Sequence, residues 1–255
     1  MKVVILAGGL PSNISEEHDL VPKPMVNIGE RPLIWHIMKL YSYYGYNDFI
    51  ICAGYKSDII KQYFLNYYIY SSDITIDLKN NNIEIHNNIS EPWNVTVIDT
   101  GLNSSTADRI KLVKEYIDDE NFIVCYGDCL SNININKLVE KHTLNKSILT
   151  LAIAKPTGRN LTLNIGEYGE ITSEENKNIA WVNSCNLVVN KDIFHYLKVP
   201  HERFELETIN RIAEKEKVDT FEHNGFWSPV ETVRDKIIMQ NMWDQGNPPW
   251  RIWKD

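Results

Sequence analysis

Three short apolar runs, each ended by glycine, constrain this chain more than any other feature. Val3-Val4-Ile5-Leu6-Ala7 leads into Gly8-Gly9, the run DFIICA at 48–53 into Gly54, and FIVCY at 122–126 into Gly127-Asp128. None alternates apolar with polar residues, so each reads as a strand buried on both faces (2–7, 48–53, 122–126). Helices fill the intervals. Leu33, Ile34, Ile37, Met38 and Tyr41 recur at helical spacing over 32–44, and Ser57 is a reasonable N-cap for a helix over 58–68. Residues 95–99 suit a further strand, and Thr106 or Asp108 caps a helix reaching 117. Buried strands joined by helices predict an α/β fold with a mostly parallel central sheet. Such sheets bind ligands beyond the carboxyl ends of their strands, where Gly8, Gly9 and Asp128 fall.

The second half is more mixed. Strands are expected over 147–154, 161–165, 181–190 and 219–222, with helices over 204–215 and 232–243. Trp243, Trp250 and Trp253 give the tail many large aromatics for a terminus; they either close over the fold or sit in a subunit contact. No repeat or linker divides the 255 residues, so one domain is expected, about 1–145 forming one half and about 146–255 the other.

Net charge is −8, which argues against a nucleic-acid backbone as partner and requires a local positive site for any anionic ligand. No run approaches about 18 apolar residues, so no membrane span is expected. The four cysteines (Cys52, Cys125, Cys129, Cys185) include no CxxC pair, and three lie in apolar, strand-like runs. That pattern fits reduced, buried thiols in a cytoplasmic protein. Cys125 and Cys129 stand four apart, but Gly127 breaks any helix that would align them as a metal pair.

Gly8-Gly9 after a strand, followed by Lys23 between two prolines, is how a backbone approaches phosphates. Glycine removes the Cβ, amides face the anion, and the lysine neutralises charge. A tight turn and a solvated lysine are the plain alternatives. Asp128 at a strand end suits a metal ligand meeting phosphates, or caps the next turn. Glu231, just before a helix, is equally a helix-start acid favoured by the dipole.

Longer motifs decide among these. ILAGGL (5–10), PKPMVNIG (22–29), RPLIWHIMKLYS (31–42), DFIICAGYK (48–56), EPWNVTVIDTG (91–101), YGD (126–128) and FEHNGFW (221–227) resemble the sugar-phosphate nucleotidyltransferases over nearly the whole chain. EPWNVTVIDTG and the FEHxGFW ending resemble the cytidylyl branch, that of the glucose-1-phosphate cytidylyltransferases. The resemblance implies a Rossmann-like nucleotidyltransferase domain with a smaller acceptor-binding β subregion and a C-terminal helix. It also implies CTP, a phosphorylated small-molecule acceptor, Mg²⁺, release of pyrophosphate and a homo-oligomer. Carried over by position, Leu6, Ala7, Gly8, Gly9, Thr100 and Gly101 bind nucleotide. Lys23, Asp128 and Arg109 are catalytic, Asp128 and Glu231 hold metal, and Asn183, Ser184, Arg159 and Lys177 bind the acceptor.

The departures from that family cluster at the chemistry. Pro11 and Asn13 replace a glycine and a phosphate-gripping arginine, and the loss of one charge-assisted contact costs on the order of 1.5–3 kcal/mol. Glu174 falls near the family's sugar-phosphate lysine, Asn160-Leu161-Thr162 replaces a glycine-containing segment, and Ser184-Cys185 replaces a Gly-Gly pair beneath the sugar. A narrowed floor favours a non-sugar acceptor, with L-glutamine phosphate as leading candidate by resemblance to cytidylyltransferases of capsule phosphoramidate synthesis. Glucose 1-phosphate is the alternative acceptor. A paralogue that binds nucleotide without turnover is the alternative of another class.

Overall fold

The computed structural model describes residues 1–9, 21–155, 181–198 and 200–254. In chain order, strand β1 (Val3–Leu6) is followed by the two-residue strands β2 (Asn27–Ile28) and β3 (Arg31–Pro32). Then come α1 (Leu33–Tyr43), β4 (Asp48–Ala53), α2 (Ser57–Tyr70), β5 (Ser72–Asp77), β6 (Asn82–Asn88), β7 (Asn94–Asp99) and α3 (Thr106–Leu112). The second half holds β8 (Asn121–Tyr126), β9 (Cys129–Ser131), α4 (Ile135–Asn145), β10 (Leu149–Ala154) and β11 (Val182–Asn190). It closes with α5 (Ile209–Ala213), β12 (Val218–His223), β13 (Trp227–Pro229) and α6 (Val233–Asp244).

Seven strands form the central sheet in the order β12-β10-β11-β8-β1-β4-β7. β8, β1, β4 and β7 are parallel neighbours, and β11 pairs antiparallel with both β8 and β10. The sheet is therefore mixed but mostly parallel, and strands from both halves of the chain lie side by side in it. Alternate residues of β1 feed opposite layers, as the two-residue strand period requires. Val3 and Ile5 pack with Ile34, Met38 and Tyr41 of α1, whereas Val4 packs with Ile110 of α3, Phe204 and Ile212. Both faces are dry, which is why these strands show no polar alternation. Eight α1 residues are buried; truncating one such as Ile34 to alanine removes about 2–5 kcal/mol.

The tryptophan tail closes over this first layer. Trp250 and Trp253 are buried against α1, with Trp253 6.0 Å from Trp35 and Trp250 6.2 Å from His36, ring centre to ring centre. Trp250 Nε1–H reaches His36 Nδ1 at 3.4 Å, so Nε2 carries the His36 proton and donates to the Ile28 carbonyl at 2.9 Å. Burial lowers the His36 pKa to about 4.

Several elements differ from their sequence reading. The cap before α2 is Lys56 in the left-handed region (φ 47°), while Ser57 lies inside the helix and donates to Asp99. Ser105 caps α3 through a capping box with Asp108, so neither Thr106 nor Asp108 is the cap, and α3 ends at Leu112 before a 3-10 turn over Lys114–Tyr116. The 204–215 helix is a π-helical turn, Phe204–Thr208, running into α5. The strand expected over 161–165 lies outside the described residues. Helix α4 and the β5–β6 hairpin have no counterpart in the sequence reading. In that hairpin Ile74 pairs with Ile85 and Ile76 with Ile83, yet most of it is exposed. Among the described residues no helix is long and apolar enough to cross a membrane.

Candidate active site

A cleft of about 470 Å³ opens at the carboxyl ends of β1 and β8, lined by Gly8, Gly9, Lys23, Asp128 and the 102–106 segment among others. Its floor is glycine for steric reasons. A Cβ on Gly127 would stand 3.0 Å from both the Leu6 carbonyl oxygen and the Pro24 ring; beneath the lining, one on Gly54 would stand 2.6 Å from the Gly8 oxygen. Gly127 thus lets the Lys23–Met25 turn dock against β1 and β8, which brings Lys23 Nζ to 3.5 Å from Asp128 Oδ2. Both side chains remain partly open to the cleft, with 20% and 27% of their surface exposed. The Asp128 carbonyl accepts the Val230 amide at 2.8 Å, tying the aspartate to the segment that ends in α6.

Arg109 lines the cleft but is nearly buried in its wall. One terminal nitrogen donates to Thr100 Oγ1 at 2.6 Å and to the Ala53 carbonyl at 3.4 Å. The other donates to the carbonyls of Gly8 at 2.7 Å and Leu102 at 3.3 Å. Burial pulls its pKa below the usual arginine value. The geometry makes it a strut between three loops: a Cβ on Gly8 would fall 1.9 Å from Arg109 Nη1. Thr100 donates its hydroxyl to Ala53 at 2.7 Å, and the Gly101 amide donates to Asp99 Oδ1 at 3.0 Å.

These contacts redistribute the expected nucleotide residues. Leu6 and Ala7 line the cleft, but the Leu6 carbonyl accepts the Gly127 amide at 3.0 Å and the Ala7 amide donates to Cys52 at 2.9 Å. Thr100 is buried as support, and the wall is made by Leu102, Asn103, Ser104, Ser105 and Thr106 instead. The polar run Asn103-Ser104-Ser105-Thr106 was the available sequence signal for that wall. Tyr126 also lines the cleft, its hydroxyl donating to Glu205. Glu231 lies one residue beyond Val230 on an exposed stretch, with its amide 3.2 Å from Asp235 Oδ2.

On the β11 side of Asp128, where the acceptor residues were expected, the β10–β11 register shifts between Leu151 and Ile153. At that irregularity Cys185 adopts φ 68°, a left-handed backbone that favours glycine. The Asn183 carboxamide oxygen accepts the Cys185 amide at 2.9 Å, and Ser184 is wholly buried beneath the surface. Ser184 therefore does not stand at an open wall. Arg159 and Lys177, with Pro11, Asn13, Asn160 and Glu174, lie outside the described residues. All four cysteines are free. The spatial neighbour of Cys129 is Cys185, with Sγ atoms 2.6 Å apart. Contact with Cys185, and then burial, pushes the Cys129 thiol well above its ordinary pKa.

Residues 2–237 match the family model described as Nucleotidyl transferase. The chain belongs to the nucleotidyl transferase family. This nucleotidyl transferase is 41% identical over 258 residues to the glucose-1-phosphate cytidylyltransferase of Salmonella typhi, with both chains covered in full. It is 34% identical to a probable glucose-1-phosphate cytidylyltransferase of Bacillus subtilis, covering 99% of this chain and all of the relative. The fold is shared with the crystal structure of HddC from Yersinia pseudotuberculosis, at TM-score 0.70 and 22% identity over 95% of this chain and 99% of the other. The mixed, mostly parallel seven-stranded sheet is thus that of an established nucleotidyltransferase architecture.

Proposed function

We propose that this enzyme transfers CMP from CTP to glucose 1-phosphate, releasing pyrophosphate. The observation that carries the reading is the Lys23–Asp128 pair, 3.5 Å apart in a cleft walled by Gly8 and Gly9. Base and acceptor are supported by the full-length similarity to glucose-1-phosphate cytidylyltransferases. That similarity favours glucose 1-phosphate over the L-glutamine phosphate that the altered floor had suggested. The second reading keeps one observation in its favour, the Cys185 side chain at a backbone position suited to glycine.

In the proposed reaction an acceptor phosphate oxygen attacks the α-phosphorus of CTP as the bond to pyrophosphate breaks. Positioning and charge neutralisation supply most of the catalysis in such displacements. Gly8 and Gly9 admit the phosphates to the backbone, and Lys23 neutralises charge on them. Arg109 is a positioning residue that fixes Gly8 against Thr100 and Leu102. The Asp128 carboxylate, a hard oxygen donor open to the cleft, fits Mg²⁺, which is commonly held by one or two carboxylates plus substrate phosphates. Asp128 would hold the ion, with Glu231 as second carboxylate, and bound Mg²⁺ would neutralise the triphosphate. Arg159, Lys177 and Asn183 belong to the proposal as acceptor contacts.

We also infer a homo-oligomer, supported by the exposed isoleucine face of the β5–β6 hairpin, where Ile76 and Ile83 are 53% and 51% exposed. A two-stranded hairpin is marginal by itself in water. A reducing cytoplasmic setting and a role in surface polysaccharide synthesis complete the reading. The test is pyrophosphate release with Mg²⁺, each of four nucleoside triphosphates, and a panel of glucose 1-phosphate, other sugar 1-phosphates and L-glutamine phosphate. CTP with glucose 1-phosphate is expected to be fastest. Silence under every combination would sink the enzyme reading, and turnover with L-glutamine phosphate alone would install the second one.

A further inference from the structure

Beside the cleft, two thiols from distant parts of the chain are held together by the backbone. Cys129 begins β9 directly after Asp128, and β9 is fixed by its pairing with β13, Cys129 opposite Pro229. Cys185 sits at the irregularity of β11 with φ 68°. A side chain in that left-handed conformation is strained relative to glycine, yet here it directs a sulfur to 2.6 Å from Cys129 Sγ. That separation is inside the normal contact of two unbonded sulfur atoms. Cys129 Sγ also lies 3.6 Å from Asp128 Oδ1. The two cysteines differ in access, since Cys129 is buried and Cys185 is half-buried. Cys52 and Cys125, both buried in the sheet, have no such sulfur neighbour among the described residues.

We propose that Cys129 and Cys185 form a reversible disulfide that controls the adjacent site. The oxidant is a hydroperoxide. The more accessible Cys185 sulfur attacks the peroxide, breaking the O–O bond and giving a sulfenic acid, while the Cys185 thiol proton passes to the departing oxygen, which leaves as water or an alcohol. The Cys129 sulfur then attacks the Cys185 sulfur, the S–O bond breaks, and water leaves with the remaining thiol proton. Two thiols thus lose two electrons and two protons, and the peroxide is reduced. Disulfides in a reducing compartment are usually transient and redox-sensing. The bond would tie β9 to the β11 irregularity and remove the Cys129 S–H from the Asp128 carboxylate. Oxidation therefore lowers turnover reversibly.

The test oxidises the reduced full-length protein with hydrogen peroxide, then reads intact mass, free-thiol number and non-reducing peptide maps, with pyrophosphate release in parallel. The expected result is a loss of two hydrogen masses, a fall from four titratable thiols to two, and one linkage joining the Cys129 and Cys185 peptides. Dithiothreitol restores both thiols and the lost activity. Cys185→Gly, which suits the left-handed backbone and so retains the fold, keeps its three thiols under the same treatment. Unchanged thiol number, a linkage through Cys52 or Cys125, or a tightly held Zn²⁺ ligated by both sulfurs in place of a disulfide would each overturn the proposal. So would a Cys129–Cys185 disulfide that leaves turnover unchanged. Linkage is read by mass and needs no substrate, so its failure is distinct from failure of the cytidylyl transfer reading.

Discussion

The two sides of Asp128 are built in opposite ways. Toward the cleft, side chains are absent where the backbone crowds. Gly8, Gly54 and Gly127 each lie where a Cβ would strike a carbonyl, a proline ring or Arg109. Toward β11, a side chain is present where the backbone would suit glycine, at Cys185 with φ 68°. The first side is fixed by close packing of main chain around one buried arginine. The second carries backbone strain in order to place a sulfur. The difference teaches that tolerance to substitution should be low on one side and high on the other, although both flank the same carboxylate.

Gly8→Ala should break that contrast first if it is wrong. The added methyl must displace an arginine whose four contacts hold Gly8, Ala53, Thr100 and Leu102. Leaving buried carbonyls without donors costs about 2–4 kcal/mol; chemical denaturation reads it, and a loss under 1 kcal/mol would remove Arg109 as the strut. Acidification should have the next largest effect. Burial lowers His36 and His142 to about 4, below the ordinary value near 6.5. The unfolded chain then binds more protons than the folded one between pH 6.5 and 4, so stability falls as pH drops through that window. A loss of about 1–2 kcal/mol per histidine by pH 5 is expected. The cleft has no part in it, and His36→Gln should remove about half of the dependence in a thermal melt series, the His142 share remaining. The smallest effect belongs to Cys185→Gly, which relieves the left-handed strain while loosening the unfolded chain; stability should change by less than about 1 kcal/mol. A loss above 2 kcal/mol would mean that the Cys185 side chain is a packing element and the contrast fails.

The legible part of this fold was the part buried on both faces. β4 matches its sequence range at both ends, and β1 and β8 match within a residue, because continuous apolar runs have no other dry place to go; β7, half-buried at the sheet edge, also matches within a residue. The β5–β6 hairpin was missed although Ile74, Ile76, Ile83 and Ile85 alternate with polar residues, since neither face packs on the core to make the pattern prominent. Helix α4 buries only Ile135, Leu138 and His142, a thin stripe on a polar helix. At the site, Lys23 and Asp128 were legible because proline and glycine fix the chain around them. By resemblance Arg109 is catalytic in the sequence reading, but the destination of its guanidinium, hydrogen-bonded to Gly8, Ala53, Thr100 and Leu102, depends on three loops far apart in sequence. The Cys129–Cys185 pair spans 56 residues, and only the sheet order β11-β8 brings its members together.

Everything proposed for the cleft converges on Asp128. The most direct measurement is single-turnover pyrophosphate release with CTP, glucose 1-phosphate and Mg²⁺ for the native protein and Asp128→Asn, with thermal unfolding recorded for both. The account predicts a fall of at least about 10²-fold in the chemical step, the scale of losing one preorganised electrostatic contact, with an unfolding midpoint that stays close to native. Near-native release from a folded Asp128→Asn protein would contradict it.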